Sequence, residues 1–292
     1  MKKIGVIANI KRPSVVEMLD RVCGWCEKNQ IEITFSQEAA EFFSSQSSKK
    51  IKNKPIPQED LWKNSDLILA MGGDGTMLVT ARAVAEHGTP ILGINLGGLG
   101  FMTQVKTEDM ENSLDRIKNK NYKIEERLVL KASLVRNMHY YALNEVVVEK
   151  GEISRLIDLH ISTEKEFIGS FSADGLIIAT PTGSTAYSMS AGGPIVNPKM
   201  EAIILSPICP QSLAVRPIIF PAGEVIKVKV ETRPEEAILK VDGQMTCAIK
   251  SGDEIVIQKA DHKVNLITFP ERSFFEILRQ KLHWGVKPKA GS

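Results

Sequence analysis

The sequence predicts an α/β domain with a mostly parallel sheet, followed by an all-β domain of the β-sandwich type and a closing helix. Two observations carry this prediction. Strand and helix patterns alternate along residues 1–126, and mainly short strand patterns with turns between them fill residues 127–272. A third pattern, an amphipathic helix, occupies residues 273–292 together with the tail, and we expect it to pack back on the first domain.

The first region shows apolar runs of strand length separated by helical patterns. We expect strands at 4–8, 31–35, 67–71 and 91–94, and helices at 14–28, 77–87 and 108–118. Residues 42–60 are rich in Ser, Lys and Pro without a clear period, which predicts a solvated loop.

The second region predicts eight strands, at 128–135, 140–148, 156–162, 177–179, 225–230, 238–241, 254–258 and 264–269. In the tail, Phe274, Ile277, Leu278 and Leu282 fall on one face of a helix predicted at 273–284.

The bulk composition is that of a soluble globular protein. Of the 292 residues, 43% are hydrophobic and 25% are charged. A formal net charge of +2 is too small to indicate a nucleic-acid surface. No apolar run has membrane-spanning length, and the run at 4–8 is too short for a signal peptide, so we expect a cytoplasmic protein.

The four cysteines are too few for a disulfide scaffold at this length. Cys23 and Cys26 have the spacing of a redox pair, but they lie late in a helical apolar face. Packing is therefore the predicted role of this pair. Cys209 and Cys247 are isolated, which argues against a cysteine-based zinc site.

The most informative stretch is a glycine turn, Gly72-Gly73-Asp74-Gly75-Thr76. It stands between a predicted buried strand and a predicted helix, where ligands bind beyond the carboxyl ends of strands. Glycines let backbone N–H groups approach a phosphate, and the helix N-terminus favours an anion.

Asp74 is unusual in a phosphate loop. A carboxylate beside phosphates is unfavourable unless it binds a metal ion or takes a proton, and the loop lacks the lysine of a Walker-type loop. Neutralising charge must come from a cation such as Mg²⁺ or from basic residues elsewhere. The alternative is that Asp74 merely caps the helix, and the loop alone leaves both interpretations open.

Four further segments are candidates for ligand contacts. A second glycine turn at 95–101 follows the next strand, and the two turns can frame one polyphosphate site. Asn144-Glu145 interrupts a β-branched run, and residues 174–194 are dense in hydroxyls and small side chains around Tyr187. Asp242-Gly243-Gln244 can also be a simple hairpin turn, since Asp-Gly is a strong turn signal.

Taken together, these segments resemble the NAD kinase family. They occur in the family's order and extend from residue 4 to about residue 284. The glycine loop is moderately specific, since lipid kinases and phosphofructokinases carry similar loops, whereas residues 174–194 are far more specific. The resemblance implies transfer of the γ-phosphoryl of ATP, with Mg²⁺ or another divalent cation, to the 2′-hydroxyl of the adenosine ribose of NAD⁺. It also implies a homodimer or homotetramer.

The resemblance further implies a role for particular residues. Asp74 matches the general base, and a carboxylate that accepts the proton of a weakly nucleophilic hydroxyl suits that chemistry. The phosphate loop comprises Gly72, Gly73, Gly75 and Thr76. The substrate-binding positions are Gly75, Asn144, Glu145, Arg155, Ser172, Asp174, Thr185, Ala186, Tyr187, Ser188, Met189, Ser190, Asp242 and Gln244.

Among these positions, Asn144 and Glu145 match the pair that binds the ribose and adenine portions. Asp174 matches a residue near the nicotinamide end, and Tyr187 matches the stacking ring. Asp242 matches a position close to the reacting hydroxyl.

Three alternative functions fit the sequence less well. A lipid kinase with the same loop, of the diacylglycerol kinase type, would need a membrane-facing apolar or basic surface, and the sequence shows none. A non-catalytic NAD(P)-binding sensor would have no use for an acid in the phosphate loop. A Rossmann dehydrogenase is disfavoured because no Gly-x-Gly-x-x-Gly opens the first unit.

Overall fold

The computed structural model describes residues 1–47, 49, 51–134, 138–151, 156–232, 237–271 and 273–285. The chain divides into two compact units, which we call the first unit (Met1–Glu126 with Val264–Ser292) and the second unit (Arg127–Lys263). Residues 264–271, predicted to belong to the second domain, group with the first unit.

The described helices are α1 (Val15–Asn29), α2 (Gln37–Gln46), α3 (Asp74–Val84), α4 (Met110–Lys118), α5 (Tyr187–Ser190) and α6 (Phe274–Leu282). Short 3₁₀ helices occupy Gln58–Asn64, Ala85–His87, Thr107–Asp109 and Gly183–Thr185. None of the helices described is long and apolar enough to cross a membrane.

The described strands are β1 (Lys3–Ala8), β2 (Glu32–Phe35), β3 (Leu67–Gly72), β4 (Ile91–Asn95), β5 (Val105–Lys106), β6 (Lys123–Leu134), β7 (Met138–Ala142), β8 (Glu145–Lys150), β9 (Ile157–Thr163), β10 (Phe167–Ala173), β11 (Gly175–Ala179), β12 (Ala202–Ile208), β13 (Ile218–Pro221), β14 (Ile226–Glu231), β15 (Ala237–Val241), β16 (Met245–Ile249) and β17 (Glu254–Thr268).

The first unit is built on a parallel sheet with the strand order β5-β4-β3-β1-β2. Every residue of β3 and β4 is buried, as expected for strands covered on both faces. Helix α1 buries a stripe against this core, formed by Val15, Met18, Leu19, Val22, Trp25 and Cys26. Because the sheet is parallel, the carboxyl ends of β1, β3 and β4 lie at the same edge.

The predicted loop at 42–60 is wrong at both ends. Helix α2 extends to Gln46, and a 3₁₀ helix begins at Gln58. Ser36 caps α2 by accepting the amide of Ala39, and Phe43 is 1% exposed with its ring 5.8 Å from that of Phe35. Helix α2 was not predicted because most of its residues are polar, so its few apolar positions do not show a clear helical period.

The cysteine pair packs in the core of the first unit, as predicted. Cys26 is buried in α1, and Cys23 is half-buried beside it. Burial raises the pKa of Cys23 to about 11 and that of Cys26 to about 12. Both thiols therefore stay protonated at neutral pH, which is opposite to the thiolate that redox chemistry needs.

The second unit consists of two antiparallel sheets that share one hydrophobic core. One sheet has the order β13-β12-β11-β8-β15-β16, and the other contains β10-β9-β14-β17 and the pair β6-β7. Residues from both sheets meet in the core cluster, among them Leu130, Val148, Leu159 and Ile178. The predicted fold class, an α/β domain with a β-sandwich and a closing helix, is confirmed.

Several predicted strand limits are wrong. The predicted strand at 140–148 is two strands, β7 and β8, separated at Leu143-Asn144. The predicted strands at 254–258 and 264–269 are one continuous strand, β17, because its polar middle pairs within a sheet instead of turning. Strands β10, β12, β13 and β16 were not predicted. Position 135, the predicted end of β6, lies outside the described residues.

Candidate active site

The glycine turn of the first unit joins β3 to α3. Strand β3 ends at Gly72 and α3 begins at Asp74, three residues earlier than the predicted helix. A Cβ built on Gly72 would lie 2.1 Å from Oγ1 of Thr76, so this position requires glycine. A Cβ on Gly73 or Gly75 would meet no atom within 4 Å. The turn is therefore crowded on one side and open on the other, where an anion can approach the helix N-terminus.

The Asp74 carboxylate is held by three consecutive backbone amides. Its Oδ2 accepts the N–H of Phe101 at 2.9 Å, and its Oδ1 accepts those of Met102 at 2.9 Å and Thr103 at 3.3 Å. The side chain is 28% exposed. Because these bonds go to residues 101–103, at and just after the end of the second glycine turn, the Asp74 side chain does not simply cap its own helix.

The two glycine turns adjoin, as predicted. Gly72 and Asn95 are partners in the register of β3 and β4, and the Leu96 amide donates to the Gly72 carbonyl at 3.1 Å. The side-chain amide of Asn95 shapes the second turn, since it donates to the Gly98 carbonyl and accepts the Gly97 N–H, both at 2.8 Å.

Gly100 is the position on which the placement of Asp74 depends most closely. A Cβ built there would lie 2.3 Å from Oδ1 of Asp74 and 2.1 Å from Oγ1 of Thr103. Any side chain at this position must displace the carboxylate or the turn.

Two basic residues near these turns were not predicted. A Cβ on Gly97 would lie 3.5 Å from the guanidinium of Arg12, which follows β1 at the same sheet edge. Lys281 of α6 places its Nζ 3.7 Å from Oδ2 of Asp74. Arg12 could have been predicted from the sequence, because it follows a strand whose carboxyl end lies at the edge where the site forms. Lys281 could not have been predicted, because it lies far from the glycine turns in the sequence.

In the second unit, Asn144 and Glu145 stand at the break between β7 and β8. The Asp242 carboxylate holds this break: its Oδ2 accepts the Leu143 N–H at 2.9 Å, and its Oδ1 accepts those of Asn144 at 2.8 Å and Glu145 at 3.1 Å. Asp242 does lie in a hairpin turn, with a φ of 50°, but its side chain also fixes the backbone of the two candidate residues.

Glu145 carries an unusual carboxyl group. The residue is 6% exposed, and among the described residues its Oε2 is buried without a hydrogen-bond partner. Burial, and secondarily the nearby Asp242 carboxylate, raises the pKa of Glu145 to about 8. An acid in this state holds a proton at neutral pH and can donate a hydrogen bond to a ligand.

Residues 180–194 fold against this break. The Thr180 hydroxyl donates to the Leu143 carbonyl at 2.6 Å, and a Cβ on Gly183 would lie 2.1 Å from the Asn144 carbonyl oxygen. Ser184 donates to the Pro181 carbonyl at 2.7 Å and accepts the Val196 amide at 3.0 Å. Several hydroxyls of this segment thus shape its backbone.

The predicted ring-binding positions differ in exposure. Tyr187 is 42% exposed at the start of α5, and Ser190 is exposed as well. Partial burial raises the pKa of the Tyr187 phenol, which therefore stays neutral. Ser188 is fully buried, with its Oγ 2.9 Å from that of Ser206, so its hydroxyl serves the interior. Thr185, Ala186 and Met189 are half-buried.

The remaining predicted positions are spread over the second unit. Lys150 Nζ lies 2.6 Å from Oδ1 of Asp174. The Ser172 hydroxyl donates to Asp158 across β9 and β10. Gln244 is exposed in the β15–β16 hairpin, and Arg155 lies outside the described residues.

The described parts of the chain contain no group of three or more His, Cys, Asp or Glu side chains arranged to hold a metal ion. A magnesium ion that is bound mainly by substrate phosphates and water does not require such a group.

Comparison with known proteins decides the family. A model of the ATP-NAD kinase N-terminal domain matches residues 4–122, and one of the ATP-NAD kinase C-terminal domain matches residues 143–269. The chain belongs to the ATP-NAD kinase family. Its relatives include the NAD kinase of Heliobacterium modesticaldum, 40% identical over 98% of this chain and 100% of that protein. The NAD kinase of Koribacter versatilis is also 40% identical, over 98% of this chain and 99% of the relative.

Solved structures of ATP-NAD kinase relatives have the same fold. Yeast NADH kinase in complex with NADH matches with a TM-score of 0.92 at 26% identity, over 100% of this chain and 90% of the yeast chain. An NAD kinase from Archaeoglobus fulgidus in complex with ATP matches with a TM-score of 0.78 at 26% identity, over 97% and 99% of the two chains. NADH and ATP are thus each seen bound to a relative.

Proposed function

We propose that this protein transfers the γ-phosphoryl of ATP to the 2′-hydroxyl of the adenosine ribose of NAD⁺, giving NADP⁺ and ADP. The observation that carries the mechanism is the Asp74 carboxylate, fixed by three amides at the mouth of a glycine turn. Relatives named NAD kinase, and solved relatives that bind NADH and ATP, support the choice of substrates.

Asp74 is the general base in this proposal. A ribose hydroxyl is a weak nucleophile, and a positioned carboxylate that accepts its proton assists attack on the γ-phosphorus. The ribose oxygen forms the new P–O bond, the bond to the β-phosphate oxygen breaks, and ADP leaves. Because three amides already orient the carboxylate, it does not have to be brought into position during the reaction, which lowers the entropic cost of proton transfer.

The open face of the glycine turn binds the donor phosphates. The Gly73 and Gly75 backbone and the N-terminus of α3 provide partial positive charge, and Thr76 adds a hydroxyl. A divalent cation such as Mg²⁺, bound to the ATP phosphates, would supply positive charge to balance the charge that develops on them. The amides of Gly73 and Gly75 orient the polyphosphate for in-line displacement.

The second unit binds the dinucleotide. Asn144 and Glu145 contact the adenosine ribose and adenine, and the Glu145 carboxyl, protonated near neutral pH, is able to donate to an acceptor on the ligand. Tyr187 stacks on a base ring, and the neighbouring positions from Thr185 to Ser190 shape that pocket. Asp174, Ser172, Arg155 and Gln244 are assigned contacts with the rest of the dinucleotide.

The proposal includes a cytoplasmic homodimer or homotetramer. Strand β13 at the edge of the six-stranded sheet exposes Ile218 and Ile219, at 45% and 47%, which suits a contact between copies. Light scattering on the purified protein tests this part, and a monomer at micromolar concentration would contradict it.

Product analysis tests the reaction itself. Protein incubated with Mg²⁺ and ATP labelled at the γ-phosphate is offered NAD⁺, NADH or diacylglycerol vesicles. We expect the label to enter the 2′-phosphate of the dinucleotide. Label in the lipid would indicate a lipid kinase, and dinucleotide binding without label transfer would indicate a sensor.

A further inference from the structure

The glycine turn carries a negative charge, that of Asp74, which no basic residue within the turn balances. It presents a carboxylate where the proposed function brings the negative phosphates of the donor, and it has no lysine of its own. Like charges at close range are unfavourable, and a magnesium ion that travels with the donor does not balance Asp74 while the donor is absent.

Lys281 brings a positive charge to this position. Its Nζ lies 3.7 Å from Oδ2 of Asp74 and 4.5 Å from the centre of the Phe101 ring. Oδ2 is the oxygen that also accepts the Phe101 amide. The ammonium is thus next to both glycine turns, and its side chain is 30% exposed, so a ligand can reach it.

Helix α6 fixes where this lysine lies. Ser273 caps the helix by accepting the Glu276 amide at 3.1 Å, and Ile277 and Leu278 are each 4% exposed. The Phe274 ring lies 6.5 Å from that of Phe101, which anchors the first turn of α6 at the second glycine turn. Lys281 follows Phe274 by seven residues, two helical turns along the same face.

We propose that Lys281 is the cation of this phosphate loop: it balances the Asp74 carboxylate when no donor is bound and contacts the donor's phosphate oxygens when one is. This inference rests on the proposed function. It assigns to the C-terminal helix the part that a lysine within the loop plays in Walker-type proteins.

The geometry suits an exchange between the two partners. At 3.7 Å the ammonium attracts the carboxylate without a direct hydrogen bond, and partly exposed ion pairs of this kind hold their partners weakly. A polyphosphate carries several negative oxygens, which attract a flexible ammonium more strongly than one carboxylate does. Movement of Lys281 to the donor also leaves Oδ2 of Asp74 accessible to the ribose hydroxyl.

Substitution of the lysine tests the proposal. Lys281→Met removes the charge but keeps an unbranched chain against Phe101, Lys281→Arg keeps the charge, and Arg279→Met removes an exposed charge from the same helix as a control. We expect Lys281→Met to raise the KM for ATP by about 10- to 100-fold, the usual value of a hydrogen bond to a charged group. The KM for NAD⁺ should stay within about twofold, and Lys281→Arg should recover most of the loss.

Binding of inorganic triphosphate, measured by calorimetry without NAD⁺, separates this role from a structural one. Lys281→Met should weaken triphosphate binding about 10-fold or more, and should do so in an Asp74→Asn background as well. Unchanged triphosphate binding in a folded Lys281→Met protein would overturn the proposal, as would an effect that disappears in the Asp74→Asn background.

Two further measurements keep the result interpretable. If Lys281→Met does not fold, Lys281→Gln is the second neutral variant, and addition of ethylammonium should restore part of its activity. Absence of rescue together with a normal KM for ATP would contradict the proposal. If the wild-type protein binds triphosphate through Lys281 but does not phosphorylate NAD⁺, the proposed function fails while this inference stands.

Discussion

Asp74 in the first unit and Asp242 in the second are built alike. Each carboxylate accepts the backbone N–H groups of three consecutive residues, 101–103 for Asp74 and 143–145 for Asp242. In both cases, an acid at a turn fixes a distant loop at the end of a strand.

Their surroundings differ. Asp74 is partly exposed and has the Lys281 ammonium 3.7 Å from its Oδ2, whereas Asp242 is buried and lies near the Glu145 carboxyl. The same hydrogen-bond pattern thus holds a partly exposed carboxylate in one unit and a buried carboxylate in the other. In the proposed mechanism, burial and the neighbouring charge, more than the hydrogen bonds, distinguish Asp74, the proposed general base, from Asp242.

Loss of the Asp74 carboxylate, the proposed general base, should have the largest effect on catalysis. We expect Asp74→Asn to lower kcat by about two to four orders of magnitude, the usual contribution of a general base, with NAD⁺ binding retained. Asp60→Asn, at a surface pair with Lys63, is the matched control. Steady-state kinetics together with calorimetric NAD⁺ binding measure both properties, and a near-normal kcat for Asp74→Asn would refute the assigned role.

Loss of the Asp242 carboxylate should instead lower the stability of the fold. Asp242→Asn replaces an oxygen that accepts amides with a donor group, so we expect the free energy of unfolding to fall by about 2–4 kcal/mol. Asp253→Asn, whose remaining side-chain oxygen can still accept the Lys250 amide at the surface, should cost less than about 1 kcal/mol. Urea unfolding of both variants checks this prediction. Equal losses of unfolding free energy would show that Asp242 stabilises the fold no more than the surface residue Asp253 does.

A change beside Asp74 should have a smaller effect on catalysis than its removal. In Gly100→Ala the new Cβ must displace Oδ1 of Asp74 or Oγ1 of Thr103, so kcat should fall about 10-fold, as misplacement of a catalytic group does. Gly98→Ala, whose Cβ would meet no atom within 4 Å, should leave kcat unchanged. Similar values for the two alanine variants would contradict the placement of Asp74.

The Glu145 carboxyl predicts an effect on the pH dependence of stability. Its pKa is raised from 4.5 to about 8, so the folded protein binds a proton that the unfolded chain releases between these values. Stability from this group is therefore present below about pH 4.5 and is lost as the pH rises towards 8, by about 1.4 kcal/mol per pH unit.

Glu145→Gln removes this titration and should flatten the slope of unfolding free energy between pH 5 and pH 8. Glu149→Gln, which removes the partner of Lys240, serves as the control. Denaturant unfolding at several pH values measures the difference between wild type and variant. The same slope in both would show that Glu145 is ionised in the folded protein.

The local parts of this arrangement were predictable from the sequence. The apolar run before Gly72 and the helical pattern after Thr76 predicted a strand, a glycine turn and a helix, and the structure confirms them. Asp74 stood out because a carboxylate in a phosphate loop is electrostatically unusual.

The partners of these acids were not predictable, because they are distant in sequence. Asp74 bonds to amides 27 to 29 residues away, and Asp242 to amides 97 to 99 residues away. Backbone amides carry no residue signature, and Lys281 reaches the loop only through the packing of α6. Periodicity likewise missed α2, whose short apolar stripe is diluted by polar residues.

The most direct test of the central claim is a crystal structure of the protein with NAD⁺ bound. We expect the 2′-oxygen of the adenosine ribose to lie about 2.6–3.2 Å from a carboxylate oxygen of Asp74, within reach for proton transfer. A 2′-oxygen that faces away from this carboxylate, or lies far from it in every subunit, would contradict the account.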